Sequence, residues 1–246
     1  VEVDGDGPAA AARRRLAGSV CIDEVCQDPP DTRWTCVGHV EPTAAGTNVE
    51  LSIRLNDLLA GKPVTEASVL LCKKLDTLCS TPVESLTPDS DGVVSTTVDS
   101  SFTGYFSIDA VGYVPVRNFV DTGGPAGTVS VTMFTPAASK ALNESIAPVT
   151  DPEAGFMNIN MIDCNGGRAA GVHFEISPSG GASPYYVVGS ILTASVTETD
   201  ETGNGGFINV PEGTVTVTAT LVKTGEVLGV TTTLVRKGTT TYQPMR

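Results

Sequence analysis

Gly171-Val-His-Phe-Glu-Ile-Ser177, then Thr199-Asp-Glu-Thr-Gly203, then Gly206-Phe-Ile-Asn-Val-Pro211 is the stretch on which the fold turns. It reads as an alternating strand, an Asp/Gly turn and a short aromatic strand. The same order occurs earlier, as Ala67-Ser-Val-Leu-Leu-Cys72, Pro88-Asp-Ser-Asp-Gly92 and Gly104-Tyr-Phe-Ser-Ile108. A pattern written twice predicts two successive β-sandwich units of one type, with Gly104-Tyr-Phe as the counterpart of Gly206-Phe.

The flanking sequence extends the prediction. Val49, Leu51, Ile53 and Leu55 alternate with Glu50, Ser52 and Arg54, as a half-buried strand requires. Strands are also expected at Val93–Val98, Tyr113–Val120 and Thr128–Phe134, closing the first unit. Met157–Met161, Thr214–Leu221, Val227–Val235 and Thr239–Tyr242 complete the second, with a hairpin turn at Lys223-Thr-Gly-Glu226. Short strands separated by turn residues indicate a sandwich or barrel. One short helix is predicted from Pro136 to Ile146, with Thr135 as N-cap and Pro136 at the first helical position. The expected organisation is a polar tail with a cysteine loop over 1–33, a sandwich over 34–135 that begins at Trp34, a helix and linker over 136–154, and a second sandwich over 155–246.

Acidic residues number 28 against 15 basic, for a formal net charge of −13. Such a chain repels phosphate backbones, which argues against nucleic acid as a partner. No apolar run reaches the roughly 18 residues needed to cross a bilayer as a helix. The sequence has no initiator Met and no hydrophobic leader, and reads as a mature or trimmed product. The six cysteines are Cys21, Cys26, Cys36, Cys72, Cys79 and Cys164. An even count without CxxC spacing points to disulfides in an oxidising compartment rather than to zinc. The closest-spaced pairs are Cys21–Cys26 and Cys72–Cys79. They leave Cys36 for Cys164, a bond that ties the start of the first unit to the second.

The residues that carry chemistry are sparse. Asp4-Gly-Asp-Gly7 lacks the further carboxylates of a calcium loop. The Asp/Gly segments at 88–92 and 199–203 have turns to make, and no metal or cofactor is expected. His39 and His173 are the two histidines. Neither has the neighbours of a nucleophile–base–acid set, and no GxSxG, HExxH or phosphate-binding loop occurs, so no catalytic residue is assigned. Among the aromatics, Tyr185-Tyr186 in a Gly/Ser-rich loop is the candidate ligand contact, weighed against a role as a core or inter-unit plug with satisfied hydroxyls. Arg13-Arg-Arg15 is the candidate assembly contact, a basic patch suited to docking on an acidic neighbour. Asn143-Glu-Ser145 is a lone glycosylation pattern.

Both repeats resemble the carboxypeptidase-regulatory-like domain, a small transthyretin-like (prealbumin-like) β-sandwich. The resemblance rests on Ala170-Gly171-Val172, Thr199–Gly203, Gly206-Phe207 and Pro211-Glu-Gly213, and more loosely on Ala67-Ser68-Val69 and Asp89-Ser-Asp-Gly92. The block from Asp28 to Cys36, followed by such units, resembles secreted proteins of unassigned role from predatory and soil-dwelling proteobacteria. What the resemblance implies is an all-β accessory module with no chemistry of its own. The expected function is that of a non-catalytic extracellular structural protein, a subunit of a bacterial cell-surface assembly or filament that contacts its neighbours through the N-terminal tail. The expected partners are further copies or other surface proteins. The alternative is a secreted adhesion module that binds glycan or protein.

Overall fold

The computed structural model describes residues 20–22, 25–27, 32–38, 46–120, 122, 127–147 and 149–246. The assignments on Asp4–Gly7, Arg13, Arg14, Arg15 and His39, and on the side chains of Cys21 and Cys26, lie outside the described residues. The chain is all-β apart from one α-helix and one 3-10 turn among the described residues.

Strands β1 (Val20–Ile22) and β2 (Val25–Gln27) form a ribbon whose register opposes Cys21 and Cys26. A 3-10 turn at Thr32–Trp34 follows. The N-terminal half comprises β3 (Asn48–Asp57), β4 (Ala67–Lys73), β5 (Glu84–Leu86), β6 (Val93–Asp99), β7 (Gly104–Ala110), β8 (Val116–Phe119) and β9 (Thr128–Met133). Helix α1 (Pro136–Ile146) has the predicted start: Pro136 opens it, and the Thr135 side chain accepts from the Ala138 N–H. The C-terminal half comprises β10 (Gly155–Met161), β11 (Val172–Ser177), β12 (Ser183–Val188), β13 (Ile191–Thr193), β14 (Asn204–Val210), β15 (Gly213–Leu221), β16 (Glu226–Val235) and β17 (Thr240–Met245).

Alternation sets the register of these strands. Leu51, Ile53 and Leu55 of β3 are buried while Glu50 and Arg54 face water. Each such side chain is worth about 1.5–3 kcal/mol when buried. A one-residue slip of β3 would expose all three at once, at a cost of roughly 5 kcal/mol or more.

Besides the β1–β2 ribbon, three sheets form among the described residues: β6-β3-β9, β11-β15-β16, and a nine-stranded sheet in the order β13-β12-β14-β10-β17-β8-β7-β4-β5. The nine-stranded sheet runs through both halves because β17 pairs parallel with β10 on one side and with β8 on the other. Side chains of successive strand residues point to opposite faces. Tyr242 accordingly enters the N-terminal core, with Phe106, Val116 and Met133. Met245 enters the C-terminal core, with Met157, Met161 and Val217. The β6-β3-β9 sheet therefore covers one face of the long sheet and β11-β15-β16 covers the other. Pro244 is tolerated in this doubly paired strand. The Thr240 N–H bonds Pro115 on the β8 side and the Met245 carbonyl bonds Ile162 on the β10 side. Alternation turns Pro244 toward β8, where pairing has ended at Tyr242–Asn118.

Topology corrects the alignment of the two copies. β6 pairs antiparallel with the first strand of its half, β3, which itself pairs parallel with the last, β9. β14 stands in the same relation to β10 and β17. Strand β6, not Gly104-Tyr-Phe, is thus the counterpart of Gly206-Phe. β7 lies between β4 and β8 as β15 lies between β11 and β16. The shared Gly-aromatic step arises from two separate crowding problems. A Cβ at Gly104 would lie 2.2 Å from the Cys72 carbonyl oxygen. One at Gly206 would lie 2.0 Å from the Met157 oxygen and 3.0 Å from the Tyr185 hydroxyl.

Trp34 also departs from expectation. It does not open the first sandwich but packs, 7% exposed, in the C-terminal core beside Met157 and Val217, with Val37 against the same cluster. The Cys36–Cys164 bond fixes it there, and the Cys164 N–H donates to the Arg33 carbonyl. Cys72 and Cys79 are bonded as well. No helix among the described residues is long and apolar enough to cross a membrane.

Candidate functional site

Tyr185 and Tyr186 are not a loop platform. They lie in β12 and are 0% and 1% exposed. Tyr186 points inward and stacks on Phe174, and its hydroxyl accepts the Phe174 N–H. Tyr185 points to the opposite face, where α1 covers it. It stacks on Phe156 at 5.3 Å, donates to the Met157 carbonyl and accepts from Asn158 Nδ2. Burial pushes both phenols above their ordinary pKa. The plug reading holds, and the pair is removed as a ligand contact.

The turn carboxylates are taken up locally. Asp89 accepts the Asp91 and Val93 N–H groups. Asp200 is held below the usual carboxylate range by the Thr202 hydroxyl and then the Gly189 N–H. No group of three or more His, Cys, Asp or Glu placed to hold a metal occurs among the described residues. His173 Nδ1 lies 2.7 Å from the Thr197 carbonyl and 3.2 Å from the Tyr186 hydroxyl, with no carboxylate bonded to it among the described residues.

The site with a structural rationale is a cleft of about 460 Å³ beside β9, where the β6-β3-β9 sheet meets the C-terminal ends of β8, β17 and β10, the central strands of the long sheet. Its apolar wall comes from Leu51, Ile53, Phe119, Val129 and Ile162. Its polar rim holds Glu50 and Arg168. Arg168 Nη1 donates to Asn160 Oδ1 at 2.6 Å, and no described carboxylate lies within ion-pair distance of it. Burial of part of its length lowers its pKa from the ordinary guanidinium value.

The backbone of β9 completes the cleft. β9 is an edge strand whose only partner among the described residues is β3. The Met133 carbonyl accepts from Leu58 on the β3 side, while the Phe134 carbonyl accepts from Val114 and the Thr132 carbonyl from Tyr242 Oη on the other. Alternation therefore turns the N–H and C=O groups of Thr128 and Ser130 outward, into the cleft. The far half of β9 is closed by Val114 and Tyr242, and this half is open among the described residues. The other lateral corner of the N-terminal half is closed too, by a hydrogen bond from Thr96 on β6 to Glu84 on β5. An open half-edge with an apolar wall is the arrangement that accepts an added strand.

Sequence alternation places Thr128–Phe134 on a strand, and β9 spans Thr128–Met133 of it. The alternation carries no sign that β9 is an edge, because edge status depends on which strand lies across the fold.

No protein-family model matches the chain, and no curated protein matches it. Among solved structures, the chain is similar to the Bacillus anthracis TIE protein, at 15% identity and a TM-score of 0.28, over 81% of this chain and 34% of that one. It is also similar to the shaft pilin SpaA of Lactobacillus rhamnosus GG, at 13% identity and a TM-score of 0.29, over 81% and 98% of the two chains. BcpA, the major pilin subunit of Bacillus cereus, is similar at 12% identity and a TM-score of 0.29, over 77% and 69%. TM-scores this low leave the likeness short of a common topology, and any functional reading rests on the chain's own geometry.

Proposed function

We propose that this chain is a non-catalytic structural subunit of an extracellular, bacterial cell-surface assembly, and that one copy's N-terminal tail adds a strand to the open half of β9 on the next. The same proposal treats the β3–β9 and β10–β17 halves as tandem carboxypeptidase-regulatory-like units on either side of the 136–154 link, behind the 1–33 lead. The carrying observation is the pair of outward backbone positions, Thr128 and Ser130, beside an apolar wall. An added strand satisfies both positions and covers Val129, which is 49% exposed. Strand addition draws its affinity from main-chain bonds and tolerates many side chains. A polar, Ala-rich tail can therefore serve, and Arg13, Arg14 and Arg15 would meet a chain of strongly negative charge. A contact between unlike surfaces repeats from copy to copy, and it builds a filament when the rotation between copies does not close into a ring. Burial of Tyr185 and Tyr186 leaves the glycan-binding alternative without its stacking residues.

Ser130→Pro tests the docking edge. Proline removes the N–H that the added strand needs, at a position where the chain's own sheet does not use it. The variant also loses the bond that Asn56 Nδ2 donates to Ser130 Oγ, so it is expected to melt about 1 kcal/mol below wild type, still folded, yet to sediment only as monomer. Deleting residues 1–20 should give the same monomer from the other side of the contact. Continued assembly of either protein defeats the proposal.

A further inference from the structure

The opposite face of the long sheet carries a second feature that strand addition does not use. The 74–77 loop inside the Cys72–Cys79 bridge leans toward β15 and β16 and encloses a pocket of about 170 Å³. Arg117, Tyr105 and Phe119 line it from the N-terminal half, and Thr232 and Thr233 from the C-terminal half.

The polar groups here are out of balance. Arg117 is 5% exposed and its guanidinium sits 4.9 Å from the Tyr105 ring centre. Arg117 Nη2 donates to the Thr77 carbonyl at 2.7 Å, and Arg236 Nη2 donates to the same oxygen at 2.8 Å. Arg117 Nη1 has no hydrogen-bond partner among the described residues, nor does Thr233 Oγ1, which is 3% exposed. Thr241, opposite Arg117 in the β17–β8 register, buries another hydroxyl that has no partner among the described residues. Gln243 Oε1 is an unpartnered acceptor but does not line the pocket. Lys74 is the second cation of the lining, beside Arg117, while Arg236 reaches only the Thr77 carbonyl. No described carboxylate lies within ion-pair distance of these cations. Asp76 binds its own loop through Ser80 and Thr81, and Asp109 acts on Arg117 only through its longer-range field.

A buried guanidinium without a counter-ion is costly, and a planar fork beside a hydroxyl matches the oxygens of a tetrahedral anion. The pocket volume of about 170 Å³ is roughly six times the ~30 Å³ share of one liquid water, room for one such ion. We propose that this pocket binds a small inorganic oxyanion, phosphate or sulfate, bridging Arg117 and Thr233 and so clamping the two halves together. The inference is independent of strand addition at β9.

Calorimetric titration of the full chain with inorganic phosphate tests it, together with melting curves over a phosphate series at constant ionic strength. Wild type should show saturable heat and a melting temperature that rises and then levels, as specific linkage requires. Thr233→Val, which keeps shape and removes only the hydroxyl, should weaken phosphate about tenfold. Arg117→Met should abolish the saturable response. If Arg117→Met does not fold, Thr233→Val still decides. Equal, non-saturating shifts in wild type and variants would mean general salt stabilisation, with water satisfying these groups, and would overturn the proposal.

Discussion

A chain ending at Gly238, without β17, is expected to lose the native fold of both halves rather than of the C-terminal half alone. β17 is last in sequence and central in the long sheet. Its backbone pairs with β10 and β8 together. Tyr242 fills the N-terminal core and donates to the Thr132 carbonyl on β9, while Met245 fills the C-terminal core. Truncating one buried aromatic to alanine costs about 3–5 kcal/mol and one Met about 2–5. Those two side chains alone match most of the roughly 5–15 kcal/mol by which a domain is stable, before any ladder hydrogen bond is counted. Dispersed methyl resonances should vanish from both cores in the truncated chain. Tyr242→Ala should give one cooperative transition, destabilised by about 3–5 kcal/mol. A truncated chain that kept a cooperative melt in residues 46–134 would show that the halves fold separately.

Removing the Cys36–Cys164 bond is the second large effect. The bond spans 128 residues and brackets the whole N-terminal half. Closing so long a loop restrains the unfolded chain strongly, and native disulfides of this class are worth about 2–4 kcal/mol. For a chain of this size that corresponds to a melting temperature lower by roughly 10 °C. The bond also anchors Trp34, the single tryptophan. Cys36→Ala with Cys164→Ala should therefore lower the melting temperature and shift tryptophan emission to the red. Cys72→Ala with Cys79→Ala, whose loop spans only 7 residues, should leave the emission unchanged. An unaltered spectrum in the first variant would mean that Trp34 docks without the bridge.

Much of the strand content was legible because one face of each strand meets a core. β3, β11 and β15 alternate cleanly, and the burial patterns follow the same alternation. Helix α1 announced itself through Thr135 and Pro136, whose roles are local. β12 was hidden because both of its faces are covered, one by β11-β15-β16 and the other by α1. Tyr185 and Tyr186 are then both buried, and adjacent aromatics read as a loop feature. β17 was expected to pair back, but its two parallel partners come from opposite halves, which no local pattern records. The Trp34 docking was half visible, in the pairing of Cys36 with Cys164. The cleft was not visible at all. Its backbone groups are ordinary strand groups, and only the absence of a neighbour beyond β9 among the described residues makes them a site.

Assembly of this kind joins two unlike surfaces, a tail on one copy and the β9 edge on the next. Mixing two assembly-defective proteins tests it most directly by analytical ultracentrifugation. The deletion of residues 1–20 keeps the edge and lacks the tail, whereas Ser130→Pro keeps the tail and lacks the edge. Each alone should sediment as monomer, and the equimolar mixture should form a one-to-one dimer that grows no further. A mixture that remains monomeric, or either protein assembling by itself, would contradict tail-to-edge assembly.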